Sequence, residues 1–270
     1  MRGGRETCTA REALTPGAPI RSRTDTEDST HPALVDLQAI RFRYPRFLLG
    51  PLTLRIDPGS AVALVGPNGA GKTTLLGILS GHRVVSAGTA WILGRKRDQV
   101  DPSIREQVAI VPTRLLGLRW MTVREHFDFL SHFYSRWKMS KALEMAEALD
   151  LRLDHRLREL SRGQSLKVSL CAALGQGARL LLFDEPTAGL DPLARHEALK
   201  QIHAYTQQHP DVAIVLATHI LEDLDEIPFT HLLVLREGKA RNPEGEGEMI
   251  TSGADIRETA KRMLLGEAEQ

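Results

Sequence analysis

The chain has 270 residues, of which 42% are hydrophobic and 26% charged, and its formal net charge is +1. This composition is typical of a globular protein with one or two domains, and the near-zero charge gives no general electrostatic reason to expect a nucleic-acid partner. Two cysteines, Cys8 and Cys171, are too few for a disulfide framework or a four-cysteine zinc site. The sequence shows neither an apolar run of the roughly 18 residues that cross a membrane nor the apolar core of a signal peptide, so we expect any role at a membrane to depend on a partner.

The first predicted feature along the chain is a disordered tail over residues 1–33, which contain few large apolar side chains. A folded domain is predicted from residue 34 to about 250, followed by a C-terminal extension over 251–270 that becomes helical near Ile256. Alternating apolar and polar residues at 52–57 predict a half-buried strand. Continuous apolar runs predict buried strands at 61–65, 108–111, 180–183 and 212–217. Because helical stretches separate these runs, the predicted fold is α/β with a sheet that is parallel at its centre.

The region from about 114 to 165 contains no strand candidate, and we expect a helical subdomain inserted into the α/β domain. Val123, Phe127, Leu130 and Tyr134 fall on one face of a predicted helix. A second helix is predicted over about 141–150. A third is predicted over 164–174, with Ser161 as its N-cap.

A glycine-rich loop, VGPNGAGKTTLL at residues 65–76, follows a predicted buried strand and opens a predicted helix. It fits the pattern G-x-x-x-x-G-K-[ST], in which backbone N–H groups and a helix N-terminus surround nucleotide phosphates. In this context a chance glycine-rich turn is the weaker interpretation. Lys72 is expected to neutralise the β- and γ-phosphates and Thr73 to bind Mg²⁺. The predicted nucleotide-binding residues of the loop are Gly66, Pro67, Asn68, Gly69, Ala70, Gly71, Lys72, Thr73 and Thr74.

Two carboxylates end the apolar run LLLFDE at residues 180–185. A carboxylate at the C-terminal end of a strand beside a phosphate loop is suited to hold Mg²⁺, and we expect Asp184 to do so. Glu185 is expected to polarise the attacking water as general base. The alternative is that the two acidic residues merely begin a helix.

The segment LSRGQ, residues 160–164, carries no obvious catalytic acid or base. Ser161 and Gly163 nevertheless predict a second helix N-terminus that an anion could approach closely. Such a site is useful if it closes over a nucleotide held by another copy of the chain. On these five residues alone, a simple helix cap is the stronger interpretation.

From about residue 34 to 239 the chain resembles the nucleotide-binding subunit of an ABC transporter. The family's motifs occur in order and with similar spacing: Tyr44, GPNGAGKT, Thr113 at the glutamine-loop position, LSRGQ, LLLFDEP, GLD at 189–191, and His219. The resemblance implies an ABC-type P-loop NTPase domain with an inserted helical subdomain and an antiparallel β portion near the N-terminus.

The resemblance also implies roles for individual residues. Tyr44 is expected to stack on adenine and His219 to contact the γ-phosphate as a switch, although either residue taken singly could be structural. Asp191 is expected to organise the facing site of a dimer. Ser161 and Gly163, with Gln164, are expected to bind the nucleotide held by the opposite chain. Two such subunits would sandwich two ATP molecules.

The same resemblance implies cofactors, partners and a location. The expected cofactors are ATP and Mg²⁺. The expected partners are an integral membrane permease subunit and a second copy of the chain or a homologous ATPase subunit, with no nucleic acid. The expected location is the cytoplasmic face of the cell membrane, where ATP hydrolysis would drive the permease.

Two positions depart from the family pattern. Arg162 replaces a glycine of LSGGQ and adds a charge near the nucleotide. Thr113 stands where the family usually has glutamine, as in a branch of bacterial drug-, antibiotic- or lipid-exporter ATPases, and this favours export over import. The substrate itself would be recognised by the permease.

Other functions stay open at this point. A soluble ABC ATPase of assembly or repair type would share the motifs, although translation factors carry two cassettes and repair proteins interrupt theirs with a long coiled coil. A small-molecule kinase or GTPase would have no use for LSRGQ, and the guanine motif N-K-x-D is absent from the sequence. Trp120 is predicted either to face the membrane partner or to pack within the helical subdomain.

Overall fold

The structure is a computed structural model of the chain. It describes residues 33–97, 102–111, 115, 117–242, 245–246, 250–251 and 255–265. The predicted tail, apart from Ala33, lies outside the described residues, and so does Thr113. The structure therefore does not test either prediction.

The secondary structure contains twelve strands and seven α-helices in the described part of the chain. The strands are β1 Val35–Tyr44, β2 Phe47–Ile56, β3 Ala61–Val65, β4 Ala87–Ile92, β5 Arg95–Lys96, β6 Val108–Val111, β7 Leu180–Asp184, β8 Ala213–Thr218, β9 His231–Arg236, β10 Lys239–Asn242, β11 Gly245–Glu246 and β12 Ile250–Thr251. The helices are α1 Lys72–Leu79, α2 Pro102–Arg105, α3 Val123–Ser131, α4 Met139–Ala148, α5 Arg162–Gly175, α6 Pro192–Gln208 and α7 Ile256–Leu265. Two short 3₁₀ helices cover Leu157–Glu159 and Leu221–Asp225.

These strands form two sheets. The smaller is antiparallel, with the order β2-β1-β4-β5. The larger has the order β11-β10-β9-β3-β8-β7-β6, and β12 pairs with β9. Its strands β9, β3, β8, β7 and β6 run parallel to one another, while the pairings of β10, β11 and β12 are antiparallel. The predicted parallel centre and antiparallel N-terminal portion are confirmed, but β9 was not predicted.

Alternate residues of the buried strands pack on opposite faces of the larger sheet, as strand geometry requires. Leu64 and Leu182 belong to a core shared with α1 and the antiparallel sheet. Ala63 and Phe183 belong to a second core, on the side of α5 and α6. The sheet is therefore covered on both faces, and its strand ends are the accessible places for a site.

The helical region has a core of its own, which includes Phe127, Ala146 and Cys171. Helix α3 begins at Val123, and its N-cap Thr122 forms a capping box with Glu125. The prediction that Tyr134 continues this helix is wrong. The helix ends at Ser131, whose hydroxyl donates to the carbonyl of Asp128 at 2.6 Å and so satisfies an acceptor of the last turn locally.

The other helix predictions hold with small shifts. Helix α4 begins and ends two residues earlier than predicted. Helix α5 follows Ser161, as predicted, and runs to Gly175. The helix predicted from about Ile256 is α7. No helix in the described ranges is long and apolar enough to cross a membrane.

Candidate active site

The glycine-rich loop connects β3 to α1, as predicted. Gly71 precedes α1 with φ of 110°, a left-handed conformation that favours glycine. Gly66 is also required, because a Cβ there would lie 2.3 Å from the carbonyl oxygen of Leu235. Gly71 has no side chain to cap the helix, so the first N–H groups of α1 receive no side-chain cap. This is a helix end suited to an anion.

Lys72 lies inside the loop with only 5% of its side chain exposed. Its Nζ donates to the carbonyl oxygens of Gly66 at 2.6 Å and Pro67 at 3.3 Å. The same ammonium lies 3.3 Å from Oε1 of Glu185. The loop thus holds a buried ammonium group beside the predicted site of the β- and γ-phosphates. The contact between Lys72 and Glu185 was not predicted from the sequence.

Asp184 ends β7 and faces Thr73 on α1. The Thr73 hydroxyl donates to Oδ2 of Asp184 at 3.0 Å. Burial raises the pKa of Asp184, and the neighbouring carboxylate of Glu185 adds to this, while the Thr73 hydrogen bond and the Lys72 charge oppose it. The two residues predicted to hold Mg²⁺ are therefore adjacent, and their hydroxyl and carboxylate oxygens are the ligand type that Mg²⁺ prefers.

Glu185 has a positive φ of 51°, which is uncommon for a residue with a side chain. Its N–H donates to the carbonyl of Ala217 on the neighbouring strand β8 at 2.9 Å. Its Oε1 lies 3.1 Å from Nδ1 of His219, which follows β8. Because β7 and β8 are parallel neighbours, their ends bring the predicted base and the predicted switch together. The unusual backbone angle, a typical feature of functional sites, gives no signal in the sequence.

One cleft, of about 350 Å³, connects Tyr44 to the phosphate loop. The described residues that line it are Tyr44, Phe47, Asn68, Gly69, Gly71, Lys72, Thr73, Thr74 and Glu185. Tyr44 and the loop were predicted from separate motifs, and the fold brings them to one cavity. Phe47 was missed, although its position three residues after Tyr44 in the same β-hairpin was a usable signal. Arg83 was also missed; its guanidinium lies over the rings of Tyr44 at 5.1 Å and Phe42 at 5.5 Å.

The LSRGQ segment forms the second predicted helix end. Ser161 caps α5 through a capping box: its Oγ accepts from the N–H of Gln164, and its own N–H donates to Oε1 of Gln164 at 2.9 Å. Asp191 caps α6 in a similar way by accepting from the N–H of Ala194 at 3.0 Å. Ser161, Gly163, Gln164 and Asp191 are not among the described residues that line the cleft. Gly66, Asp184 and His219 do not line it either, although they adjoin residues that do.

Arg162, the departure from the family motif, lies against the GLD segment. A Cβ added to Gly189, whose φ is 74°, would lie 2.4 Å from a guanidinium nitrogen of Arg162. Arg162 also lines a cavity of about 550 Å³ beside the start of α5, together with Arg119 and Arg158. The second helix end is therefore bordered by three arginines.

Comparison with known proteins agrees with this geometry. Residues 49–188 match the family model described as ABC transporter. The chain is 32% identical over 236 residues to the Nod factor export ATP-binding protein I of Cupriavidus metallidurans, covering 83% of this chain and 76% of that protein. It is 30% identical to the protein of the same name from Burkholderia pseudomallei, covering 83% of this chain and 75% of that protein.

Solved structures share the fold. A dimeric ATP-binding cassette in a post-hydrolysis state, bound to ADP and Pi, superposes with a TM-score of 0.68 at 22% identity, covering 79% of this chain and 98% of that one. An ATP-binding subunit of an ABC transporter gives a TM-score of 0.70 at 24% identity, covering 88% of this chain and 95% of that one. These findings support a transporter ATPase over a soluble assembly or repair ATPase. The chain belongs to the ABC transporter family, as an ATP-binding subunit with ATPase activity.

Proposed function

We propose that the chain hydrolyses ATP in a head-to-tail dimer and thereby drives a separate integral membrane permease subunit, for export. The second subunit would be another copy of the chain or a homologous ATPase subunit. The observation that carries the proposal is the cleft that unites Tyr44, the phosphate loop and Glu185. In this cleft Tyr44 stacks on adenine, and the N–H groups of the loop bind the phosphates.

Asp184 and Thr73 would hold Mg²⁺ in this site. The Thr73 hydroxyl and the Asp184 carboxylate, 3.0 Å apart, would supply two oxygen ligands, and phosphate and water would complete the shell. When bound, Mg²⁺ would neutralise charge on the β- and γ-phosphates.

Lys72 and Glu185 act in sequence. The Lys72 ammonium, which contacts Glu185 at 3.3 Å, turns toward the incoming phosphates and releases the carboxylate. Glu185 then accepts a proton from the attacking water. His219 keeps Glu185 oriented through Nδ1, which carries the proton because a carboxylate oxygen only accepts. His219 would also contact the γ-phosphate as a switch.

The second helix end completes the site of the other chain. Ser161 and Gly163 at the start of α5 bind the γ-phosphate of the nucleotide held opposite, with Gln164 supporting Ser161 through the capping box. Asp191, the N-cap of α6, would help to organise the facing site. Each ATP site is thus formed by both chains, and bound ATP holds the two chains together.

Exposed apolar side chains in the helical region support a membrane partner. Trp120 is 58% exposed and Phe133 61% exposed, so neither lies in a core. The ring of Phe133 lies 4.8 Å from that of Phe129, which is 37% exposed, and contiguous exposed apolar surface is typical of protein interaction sites. The relatives named as Nod factor export proteins support export, and a position at the cytoplasmic face of the cell membrane follows from a permease partner and an ATP substrate.

The test is the assembly state of Glu185→Gln. We expect this variant to form a dimer in ATP and Mg²⁺, because ATP binds but its hydrolysis stalls, so the bound state accumulates. Size-exclusion chromatography measures the change, and a second variant that combines Lys72→Ala with Glu185→Gln serves as the control that stays monomeric. An unchanged monomer peak for Glu185→Gln would contradict the dimer. Copurification with a multispanning membrane protein tests the partner.

A further inference from the structure

A buried carboxylate lies behind the proposed hydrolytic site. Asp223 belongs to the 3₁₀ helix Leu221–Asp225, which follows His219, and its side chain is fully buried. Its Oδ2 accepts hydrogen bonds from the hydroxyls of Thr187 and Thr218, each at 2.7 Å. Its Oδ1 has no hydrogen-bond partner among the described residues and lies 3.8 Å from Nε of Arg195.

Such a carboxylate is unfavourable for stability alone. Burial raises the pKa of Asp223, while the two threonine hydrogen bonds and the charge of Arg195 oppose this. An apolar side chain of similar size would avoid the desolvation. What Asp223 provides instead is a connection between chain segments.

The three partners of Asp223 come from the three segments that carry the proposed function. Thr187 lies two residues after Glu185, and Thr218 immediately precedes His219. Arg195 lies in the first turn of α6, the helix that Asp191 caps. Both threonines are buried, and each donates its hydroxyl to the same oxygen of Asp223. The segment that follows β7 and the end of β8 are therefore held in one arrangement relative to each other.

We propose that Asp223 is a positioning residue for ATP hydrolysis: through Thr187 and Thr218 it holds Glu185 and His219 at their 3.1 Å separation. The inference rests on the proposed roles of Glu185 and His219. In the described part of the chain Asp223 forms no hydrogen bond or ion pair with Glu185 or His219, and it acts through the two hydroxyls. Arg195 extends the connection to α6, whose cap Asp191 belongs to the predicted dimer surface.

The experiment uses steady-state ATPase assays of the full-length chain. It compares variants that keep the hydroxyl group at positions 187 and 218 with variants that remove it. Thr187→Val and Thr218→Val keep the side-chain shape but cannot donate to Asp223. We expect each to lower kcat about tenfold, with the KM for ATP changed less than about twofold, because the nucleotide cleft is not altered. Thr187→Ser and Thr218→Ser keep the donor and should stay within about threefold of the unmodified chain. Thr206→Val removes a remote hydroxyl bond on α6 and serves as the matched control.

A second measurement separates positioning from stability. Asp223→Asn is measured both in the unmodified chain and in the His219→Ala variant. If Asp223 acts through the Glu185–His219 arrangement, Asp223→Asn should lower kcat about tenfold in the unmodified chain and much less in the His219→Ala variant. Wild-type kcat in both valine variants, or an equal loss on both backgrounds, would overturn the inference. If Asp223→Asn does not fold, the Ser and Val pairs still decide. Failure of the proposed function looks different, since Glu185→Gln and His219→Ala themselves would then retain hydrolysis.

Discussion

The two helix N-termini of the site differ in how they satisfy their backbone donors. At α1 the N-cap is Gly71, which has no side chain, and the first turn receives no side-chain cap. At α5 the N-cap is Ser161, and a reciprocal capping box with Gln164 satisfies donors within the chain itself. The neighbouring charges also differ: the first end contains one buried lysine beside two carboxylates, and the second is bordered by three arginines.

This difference indicates a division of labour between the two ends. The end of α1 leaves donors for a ligand in each chain, so it is suited to capture the nucleotide first. The end of α5 is stable by itself and is suited to add contacts later, when a nucleotide approaches from another chain. Variants at the first end should therefore affect binding and hydrolysis, whereas variants at the second should affect closure.

The largest effect is expected at the first end, for Lys72→Ala. Removing the buried ammonium leaves phosphate charge without a local substitute, and we expect ATPase activity to fall by about a hundredfold or more, about 2.7 kcal/mol of barrier. Steady-state assays at saturating ATP measure this. Lys200→Ala, at an exposed position on α6, is the matched control and should have activity close to that of the unmodified chain. Comparable activity in the two variants would break the assignment of Lys72.

At the second end, Ser161→Arg should abolish most ATPase activity and leave ATP binding to the monomer nearly intact. The substitution removes the cap and places a bulky side chain where the opposite nucleotide would enter, but Ser161 does not line the cleft of its own chain. Fluorescent ATP titration of the monomer and a hydrolysis assay measure the two quantities separately. Ser161→Thr keeps the hydroxyl and is the control. If ATP binding and hydrolysis fall together, the proposal that Ser161 binds the nucleotide of the other chain is wrong.

The sequence predicted features that depend on local pattern and missed those that depend on tertiary geometry. The strand before Gly66 and the N-cap at Ser161 follow from apolar runs and capping preferences, and both are confirmed. The positive φ of Glu185 was missed because glutamate rarely adopts this conformation, so the residue type gives no indication of it. Asp223 was missed because its partners lie 36 and 5 residues away and meet only when β7 and β8 pair.

A smaller effect is expected for Thr113→Ala, which tests whether the position between the two helix ends in the sequence contributes a ligand. Thr113 lies outside the described residues, so the prediction rests on side-chain chemistry. Threonine is shorter than the glutamine usual in the family, and water can complete a Mg²⁺ shell in its place. ATPase activity should fall by no more than about tenfold, or ~1.4 kcal/mol. A loss equal to that of Glu185→Gln, with the membrane partner present, would show that threonine is a true ligand.

The smallest effect is expected for Arg162→Glu, which should increase the stability of the chain and decrease its ATPase activity. A positive charge in the first turn of α5 opposes the helix dipole, so Arg162→Glu should raise the free energy of unfolding by about 0.5 kcal/mol at low salt. The same carboxylate would repel the phosphates of the opposite nucleotide, so ATPase activity should fall severalfold. Urea denaturation and steady-state hydrolysis measure the two changes, and Arg162→Gln should fall between arginine and glutamate in both. Because Arg162 is exposed, both differences should shrink as salt screens the charge. If glutamate stabilises the chain without slowing hydrolysis, the second helix end does not meet a nucleotide, and the contrast between the two ends is one of folding alone.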